Sequence, residues 1–483
     1  MKKYILEITV FLCGAIGMML ELIAARILSP YVGSSNLIWT TIIGVMLISM
    51  SIGYWIGGKL ADKSPNQNTL SKLLVAGAIM SSLIPMLEVN FVEQLVNILD
   101  NLELIALISA AIVFGIPSFI LATVSPYAVK LKNSDNQNIG KLSGKISSIS
   151  TIGSIVGTFI SGFLLIPNFG VRAIILSVTI LLLLLSIVLY ENKTKKYYVF
   201  ISIVTVVIIL LQYIGKLEFT LFNPDIIEDV DSEYSRIWVK EINTSETTYK
   251  TLYVDTGLES YIDQETGEMG AKYLKYYDLV DCFFPSSKDV LMIGGAAYTY
   301  PMHYLKKYSD KKIDVIEIDE KMTKIAEEYF NLDTSNNNLK IYHQDGRSFL
   351  NRTNNKYDAI LLDAFKGSNA PFELTTYEAM KQAYKCLNSN GAIITNIISS
   401  ISGEDSNFIQ YEYATYKEVF DEVKMFKVHN IDENEKQNII LVGIKGKINV
   451  GDSEKYEELL KMEIKDFKTD YKIVTDNYCP IGS

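Results

Sequence analysis

Histidine is scarce in this 483-residue chain, cysteine is scattered, and basic residues are not in excess. His303, His343 and His429 are the only three histidines, and none stands at metal-ligand spacing from another. The four cysteines, Cys13, Cys282, Cys386 and Cys479, include no C-x-x-C pair, so neither a disulfide framework nor a zinc site is indicated. No metal is expected. Acidic residues outnumber Lys and Arg by 55 to 45, a net charge of −10, which argues against nucleic acid as a partner. The first apolar run is too long for a cleaved signal peptide and has no A-x-A-like site behind it.

What is present is apolar length, unevenly spread. Hydrophobic residues make up 49% of the chain, and up to about Phe219 they form long runs broken by short polar loops. A bilayer core takes about 20 apolar residues per helix. Seven runs qualify: 5–28, 38–56, 70–87, 104–129, 146–166, 171–189 and 199–211. The sequence therefore predicts a polytopic membrane domain over 1–216, in contact with lipid. Gly153, Gly157 and Gly162, and Gly53, Gly57 and Gly58, are small enough to form helix-packing faces. Glu21 and Arg26 in the first run read as an internal pair or interfacial anchors, the alternative being a polar site for a small charged ligand.

Short-loop lysines set an orientation. Lys2 and Lys3, then Lys59, Lys63 and Lys72, then Lys130, Lys132, Lys141 and Lys145, then Lys193, Lys195 and Lys196 fall on one side. The third loop is acidic (Glu88, Glu93, Asp100, Glu103) and the fifth carries only Arg172. The N-terminus is then inside, and seven crossings put the C-terminal part outside. Nucleotide chemistry of the kind read below points instead to the cytoplasm.

Beyond the membrane domain the pattern changes. Alternating strands at 236–239, 250–254 and 260–262 predict a small β domain over 217–285. Over 286–483, strands at 290–294, 313–318, 339–343, 359–362 and 392–397 alternate with helices at 301–308 and 320–329. That alternation predicts an α/β fold with a doubly wound, Rossmann-like parallel sheet, whose ligands bind at the carboxyl ends of the strands. Those ends read Gly294-Gly295-Ala296-Ala297-Tyr298, Glu317-Ile318-Asp319, Gln344-Asp345-Gly346 and Leu362-Asp363. Small residues let a backbone approach a ligand, and an acid about 20 residues past a glycine turn is placed to take ribose hydroxyls. Helix capping could account for Asp319 alone, but not for the whole set. The set points to a nucleoside site.

Residues 233–391 resemble the spermidine synthase (polyamine aminopropyltransferase) family, a branch of the methyltransferase-like Rossmann folds. The matching pieces follow the family's order: Ser232-Glu-Tyr-Ser-Arg-Ile237, Leu252-Tyr-Val-Asp-Thr-Gly257, Tyr276-Tyr-Asp278, Ile293-Gly-Gly295, Val315-Ile-Glu-Ile-Asp319, Gln344-Asp-Gly346 and Tyr357-Asp-Ala-Ile-Leu-Leu-Asp363. Glu21-Leu-Ile-Ala-Ala-Arg26, 153–167, Gly295-Ala-Ala-Tyr-Thr-Tyr-Pro301, 371–376 and Thr475-Asp-Asn-Tyr-Cys-Pro480 are similar to membrane-fused homologues.

The resemblance implies decarboxylated S-adenosylmethionine as a substrate and methylthioadenosine as a product, with no tightly bound cofactor, and a homo-oligomer. It implies a nucleoside site of Gly294, Gly295, Glu317, Asp319, Asp345 and Gly346, with Glu317 on the ribose and Asp345 and Gly346 on adenine. Asp363 becomes the catalytic carboxylate, with Tyr298 beside it as a second catalytic candidate. Glu259, Tyr277 and Asp278 are the amine-binding candidates. Departures stand at Ala297 and Lys366, where the family has Asp, and at Ser235 and Glu259, where it has Gln. Tyr276-Tyr277-Asp278 replaces Tyr-His-Glu. Three functions stay open: an aminopropyltransferase; a lyase, cyclase or other transferase acting on S-adenosylmethionine without a polyamine; or a nucleoside- or polyamine-binding membrane carrier or sensor.

Overall fold

The computed structural model describes residues 4–33, 36–63, 65–99, 101–133, 139–192, 194–222, 224–245, 247–255, 257–364, 371–448, 454–478 and 480. Of the residues singled out above, Lys2, Lys3, Asp100, Lys193, Lys366 and Cys479 lie outside them. The chain divides into two compact units, Met1–Pro224 with Val230–Ser235, and Asp225–Asp229 with Arg236–Ser483. The first boundary lies past the expected 216 because the last helix of the first unit runs on to Phe222.

The first unit is helical. Six helices among the described residues are long and apolar enough to cross a membrane: α1 (Ile5–Val32), α2 (Leu37–Lys63), α3 (Gln67–Leu87), α4 (Leu102–Lys132), α5 (Ile139–Asn168) and α6 (Val171–Leu189). The seventh expected run falls within α7 (Lys195–Phe222), 28 residues long. At 1.5 Å per residue α1, also of 28 residues, extends about 42 Å, beyond the ~30 Å of a bilayer core. Wide π-type turns at Ala110–Gly115 and Ser161–Leu165 fall just ahead of Pro117 and Pro167. Proline cannot donate to the preceding turn, and a widened turn absorbs that gap.

The glycines do serve packing, with two exceptions. A Cβ on Gly153 would stand 2.0 Å from the Phe11 carbonyl oxygen, and one on Gly157 2.4 Å from that of Ala15, so α1 and α5 touch backbone to backbone. Gly53 and Gly57 do the same for α2 against Phe119 and Thr123, whereas Gly58 and Gly162 face open space. Trp55, Phe163, Val188 and Ile203 are each more than half exposed, an apolar exterior of the kind that lipid covers.

Arg26 and Glu21 form no ion pair among the described residues, which corrects the expected internal pair. Arg26 instead donates to the backbone oxygens of Ser232 (2.9 Å) and Glu233 (3.1 Å). The next residue along, Asp231, accepts from the Val171 N–H at 3.3 Å. The turn Val230–Ser235 is thus held where α1 ends and α6 begins. Glu7, near the start of α1, is paired with Lys132 and Lys145, so these lysines mark the opposite end of the bundle.

The second unit opens with an antiparallel sheet, β1 (Ile226–Asp231), β2 (Arg236–Asn243), β3 (Thr248–Val254) and β4 (Gly257–Asp263), in that order. Its inner face, Ile237, Val239, Leu252 and Val254, packs on Ala297, Met322, Ile325 and Phe330.

A seven-stranded sheet follows: β5 (Asp289–Ile293), β6 (Lys312–Glu317), β7 (Leu339–His343), β8 (Tyr357–Leu362), β9 (Leu387–Ser399), β10 (Glu422–Lys427) and β11 (Gln437–Lys445). Its order is β10-β11-β9-β8-β5-β6-β7. Five strands are parallel as expected, but β11 runs antiparallel between β9 and β10, so the sheet is mixed. Helices α8 (Thr299–Lys307), α9 (Glu320–Phe330), α10 (Gly346–Arg352), α11 (Tyr377–Cys386) and α12 (Asn407–Val419) complete it. Apolar cores cover both faces: Met292, Val315 and Leu361 point to one, Ile293, Ile316 and Leu362 to the other.

Over 452–472 the Lys/Glu spacing suggests a solvated helix and a strand. Among the described residues there are a 3-10 turn, Glu454–Tyr456, and the one-turn helix Glu457–Leu460, with an isolated bridge from Phe426 to Glu463. Too few apolar positions recur to give a longer helix a buried face.

Candidate active site

The strand order reverses between β5 and β8, and a crevice opens at their carboxyl ends. Two backbone bonds frame it, Gly294 N–H to Ile316 O and Asp363 N–H to Ile293 O, both 2.9 Å. Gly294 has φ +95°, and a Cβ there would lie 2.2 Å from the Asp363 carbonyl oxygen, so nothing larger than glycine fits. Ala296 and Tyr298 also take left-handed conformations (φ +45° and +54°), which side chains rarely adopt. Strain concentrated in one loop is characteristic of a ligand site.

A cavity of about 310 Å³ opens beside this loop, with Asp363 in its wall. Tyr273 donates its hydroxyl proton to Asp363 Oδ2 (3.1 Å) and Asn396 Nδ2 donates to Oδ1 (3.2 Å). Asn396 is in turn held by Asn438 Nδ2 on its Oδ1 (2.9 Å). Burial pushes the Asp363 carboxyl up to about 6, against the hydrogen bonds from Asn396 and Tyr273 that favour its charged form. Burial and the Asp363 charge hold the Tyr273 phenol far above its ordinary value, so it stays a donor. The Tyr277 hydroxyl, also buried and also raised by burial and Asp363, makes no hydrogen bond of good geometry. The product is a neutralisable carboxylate facing a cavity. Such a group can hold and accept a proton near neutral pH.

The other predicted residues divide. Glu317 ends β6 buried. Its Oε2 accepts from Gly295 N–H (2.9 Å) and Ala296 N–H (3.2 Å), and its Oε1 from Asp319 N–H (3.0 Å). Burial raises its carboxyl even so. Glu317 therefore braces the glycine loop. Asp319 caps α9 through Lys321 N–H (3.0 Å), and Asp345 caps α10 through Ser348 N–H (2.7 Å). Capping thus accounts for one more of these acids than expected. Gly346 has the Ile293 side chain 2.6 Å from where a Cβ would be, a close approach that small size permits.

Two assignments need correction. Tyr298 is fully buried and its hydroxyl bonds Thr323 (2.7 Å), which bonds His343 Nε2 (2.9 Å). It does not line the cavity, because the left-handed turn sends its ring back behind the loop. Asp278 is paired with Lys307 at 2.7 Å, with His303 Nε2 at 3.5 Å. Burial raises its carboxyl, but these partners outweigh that and hold it low, so it is committed away from the cavity. Glu259 does line the cavity. Ala297 packs against Ile237 and Phe330 in the small sheet's core. Sequence reasoning missed Tyr273, Asn396, Asn438 and His429, all in the cavity wall. The signal was available for Asn396, a polar residue inside the apolar run Ile393-Ile394-Thr395-Asn396-Ile397-Ile398. Tyr273 offered none beyond standing one turn before Tyr276.

Residues 277–450 match the spermine/spermidine synthase domain. The chain is 34% identical to a polyamine aminopropyltransferase of Vibrio vulnificus over 149 residues, 30% of this chain and 48% of that protein. It thus spans about half of that relative's length. It is 22% identical to polyamine aminopropyltransferase 2 of Aquifex aeolicus over 416 residues, 81% of this chain and 78% of that protein. Among solved structures, a probable spermidine synthase from Corynebacterium glutamicum aligns with 53% of this chain and 97% of its own, at 19% identity and a TM-score of 0.45.

Proposed function

We propose that this chain, a spermidine synthase homologue whose catalytic domain follows an N-terminal helical extension, is a membrane-integral aminopropyltransferase. It takes decarboxylated S-adenosylmethionine and an amine and releases methylthioadenosine. The observation that carries this reading is Asp363, half-buried at the switch point, tuned to about 6, and held by Tyr273 and Asn396 beside a cavity.

In the reaction the neutral amine nitrogen attacks the carbon next to the sulfonium. The carbon–sulfur bond breaks, its electron pair returns to sulfur, and the amine proton passes to Asp363. An acceptor poised near 6 is charged at neutral pH yet basic enough for that proton. Gly294 and Gly295 give the nucleoside backbone-level access, and Glu317 keeps that loop in shape with one Oε1 lone pair left for a ribose hydroxyl. Gly346 leaves room for the base. Glu259 is the second carboxylate of the cavity and serves the cationic amine. The apolar exterior of the helical unit supports a multi-pass position in lipid. The lysines around Glu7 support a cytoplasmic position for that end of the bundle, with the Arg26 end and the turn Val230–Ser235 on the other face.

Purified protein incubated with decarboxylated S-adenosylmethionine and putrescine, followed by mass spectrometry, tests the chemistry. An aminopropylated amine formed in step with methylthioadenosine supports it. Methylthioadenosine formed at the same rate without any amine means a lyase or cyclase instead. Labelling of a cysteine introduced at Glu233 with an impermeant maleimide in whole cells tests the sidedness.

A further inference from the structure

The cavity beside Asp363 is not lined by carboxylates alone. Among the described residues its charged side chains are Asp363, Glu259 and Lys272. Asp278 is taken by Lys307 at 2.7 Å, and Ala297 faces an apolar core. Lys272 begins the short helix Lys272–Asp278, one residue before the Tyr273 that bonds Asp363. It is solvent-exposed and has no salt bridge among the described residues.

This charge set fits poorly with two carboxylate-free reactants. Such a sulfonium donor brings its sulfonium and an ammonium, and a diamine brings a further ammonium. That is more positive charge than Asp363 and Glu259 can balance, and Lys272 adds to the excess. Like charges in a partly shielded cavity repel strongly enough to decide which ligand binds.

We propose that one of the two reactants carries an α-amino carboxylate, which Lys272 reads at the cavity's edge. The inference rests on the reading above for the transfer to an amine and for Asp363 as proton acceptor; where the carboxylate sits on the donor, it replaces the decarboxylated donor named there. The carboxylate has two possible sources. If it sits on the donor, the donor is S-adenosylmethionine itself. The amine nitrogen then bonds the carbon next to sulfur, the carbon–sulfur bond breaks with its electrons going to sulfur, and methylthioadenosine leaves. The proton goes to Asp363 and the group transferred is 3-amino-3-carboxypropyl. If it sits on the acceptor, the same bonds form and break, aminopropyl is transferred, and the acceptor is an amino acid with a side-chain amine.

The test pairs each donor, S-adenosylmethionine or its decarboxylated form, with putrescine or with ornithine, which differ by that carboxylate. Wild-type protein and the Lys272→Glu variant are compared in detergent, following methylthioadenosine and product mass. At least one carboxylate-bearing pair should turn over about tenfold faster than decarboxylated donor with putrescine, and Lys272→Glu should reverse the preference. Product mass identifies which reactant carries the group. A wild-type preference for the carboxylate-free pair, or a ratio unmoved by Lys272→Glu, overturns the proposal. Equilibrium binding of the two donors and of the two amines separates it from the transferase reading. If no pair turns over, that reading falls, while a binding ratio that depends on Lys272 upholds this one and an unchanged ratio refutes it.

Discussion

Replacing Asp363 with Asn should make the protein more stable at neutral pH while removing its turnover. The Asp363 carboxyl moves from an ordinary 3.8 to about 6 because burial strips its charged form of water. The folded protein therefore favours the protonated acid, and stability is fully present below about pH 4 and lost as pH rises through 6. The gap corresponds to about 3 kcal/mol at pH 7.5, about half of that at pH 5, and little at pH 4. Asn cannot ionise, so it escapes this loss. It can also keep the site's geometry, with its oxygen toward Asn396 Nδ2 and its amide toward the Tyr273 hydroxyl. For a unit of this size about 1 kcal/mol moves the melting temperature by about 2–4 °C, so the variant should melt up to about 10 °C higher at pH 7.5. The difference should close on acidification. Thermal unfolding of purified full-length protein in detergent at pH 4.5, 6 and 7.5 measures it. A variant no more stable than wild type at pH 7.5, or a difference independent of pH, would refute the reasoning that Asp363 is held charged at a cost.

Three further outcomes are expected. Glu317→Gln presents an N–H where Gly295 and Ala296, or Asp319, already donate, at about 1–3 kcal/mol; nucleoside affinity by calorimetry should fall at least tenfold, whereas Asp363→Asn should bind nucleoside nearly as wild type. Tyr273→Phe removes a donor that favours the Asp363 carboxylate, so the acid limb of the activity profile should move to higher pH, while Tyr298→Phe should cost about 1 kcal/mol of stability and leave that limb in place. Gly294→Ala sets a Cβ against the Asp363 backbone at positive φ, so nucleoside binding, read by the same titration, should be lost or the unit should melt several degrees lower.

The helical unit and the Rossmann-like core were legible because both rest on period. Apolar runs of bilayer length map onto α1 to α6, and strands followed by glycine or acid map onto β5 to β8. Two kinds of feature were not legible. The first is what a long-range partner decides: β10 and β11 carry ordinary apolar patterns, and only their pairing makes β11 antiparallel. The second is what a side chain does once it has a choice of neighbours. Arg26 and Glu21 share one helix and so suggested each other, yet Arg26 reaches carbonyls some 200 residues away in sequence. Asp319 and Asp345 stand where a ligand acid would stand, and also where a helix needs a cap. Tyr298 follows the glycine loop in sequence but turns behind it because of one left-handed residue. Asp363 and Glu317 were identifiable from position alone, since a strand end at a switch point offers few alternatives to facing the crevice.

The most direct test of the account is amine-dependent release of methylthioadenosine, measured for wild-type protein and the Asp363→Asn variant under identical nucleoside saturation. Release by wild type should rise with amine concentration, and the variant should show none above background although it still binds nucleoside. Equal release by both proteins, or release indifferent to amine, would contradict the claim that Asp363 accepts the proton of an attacking amine.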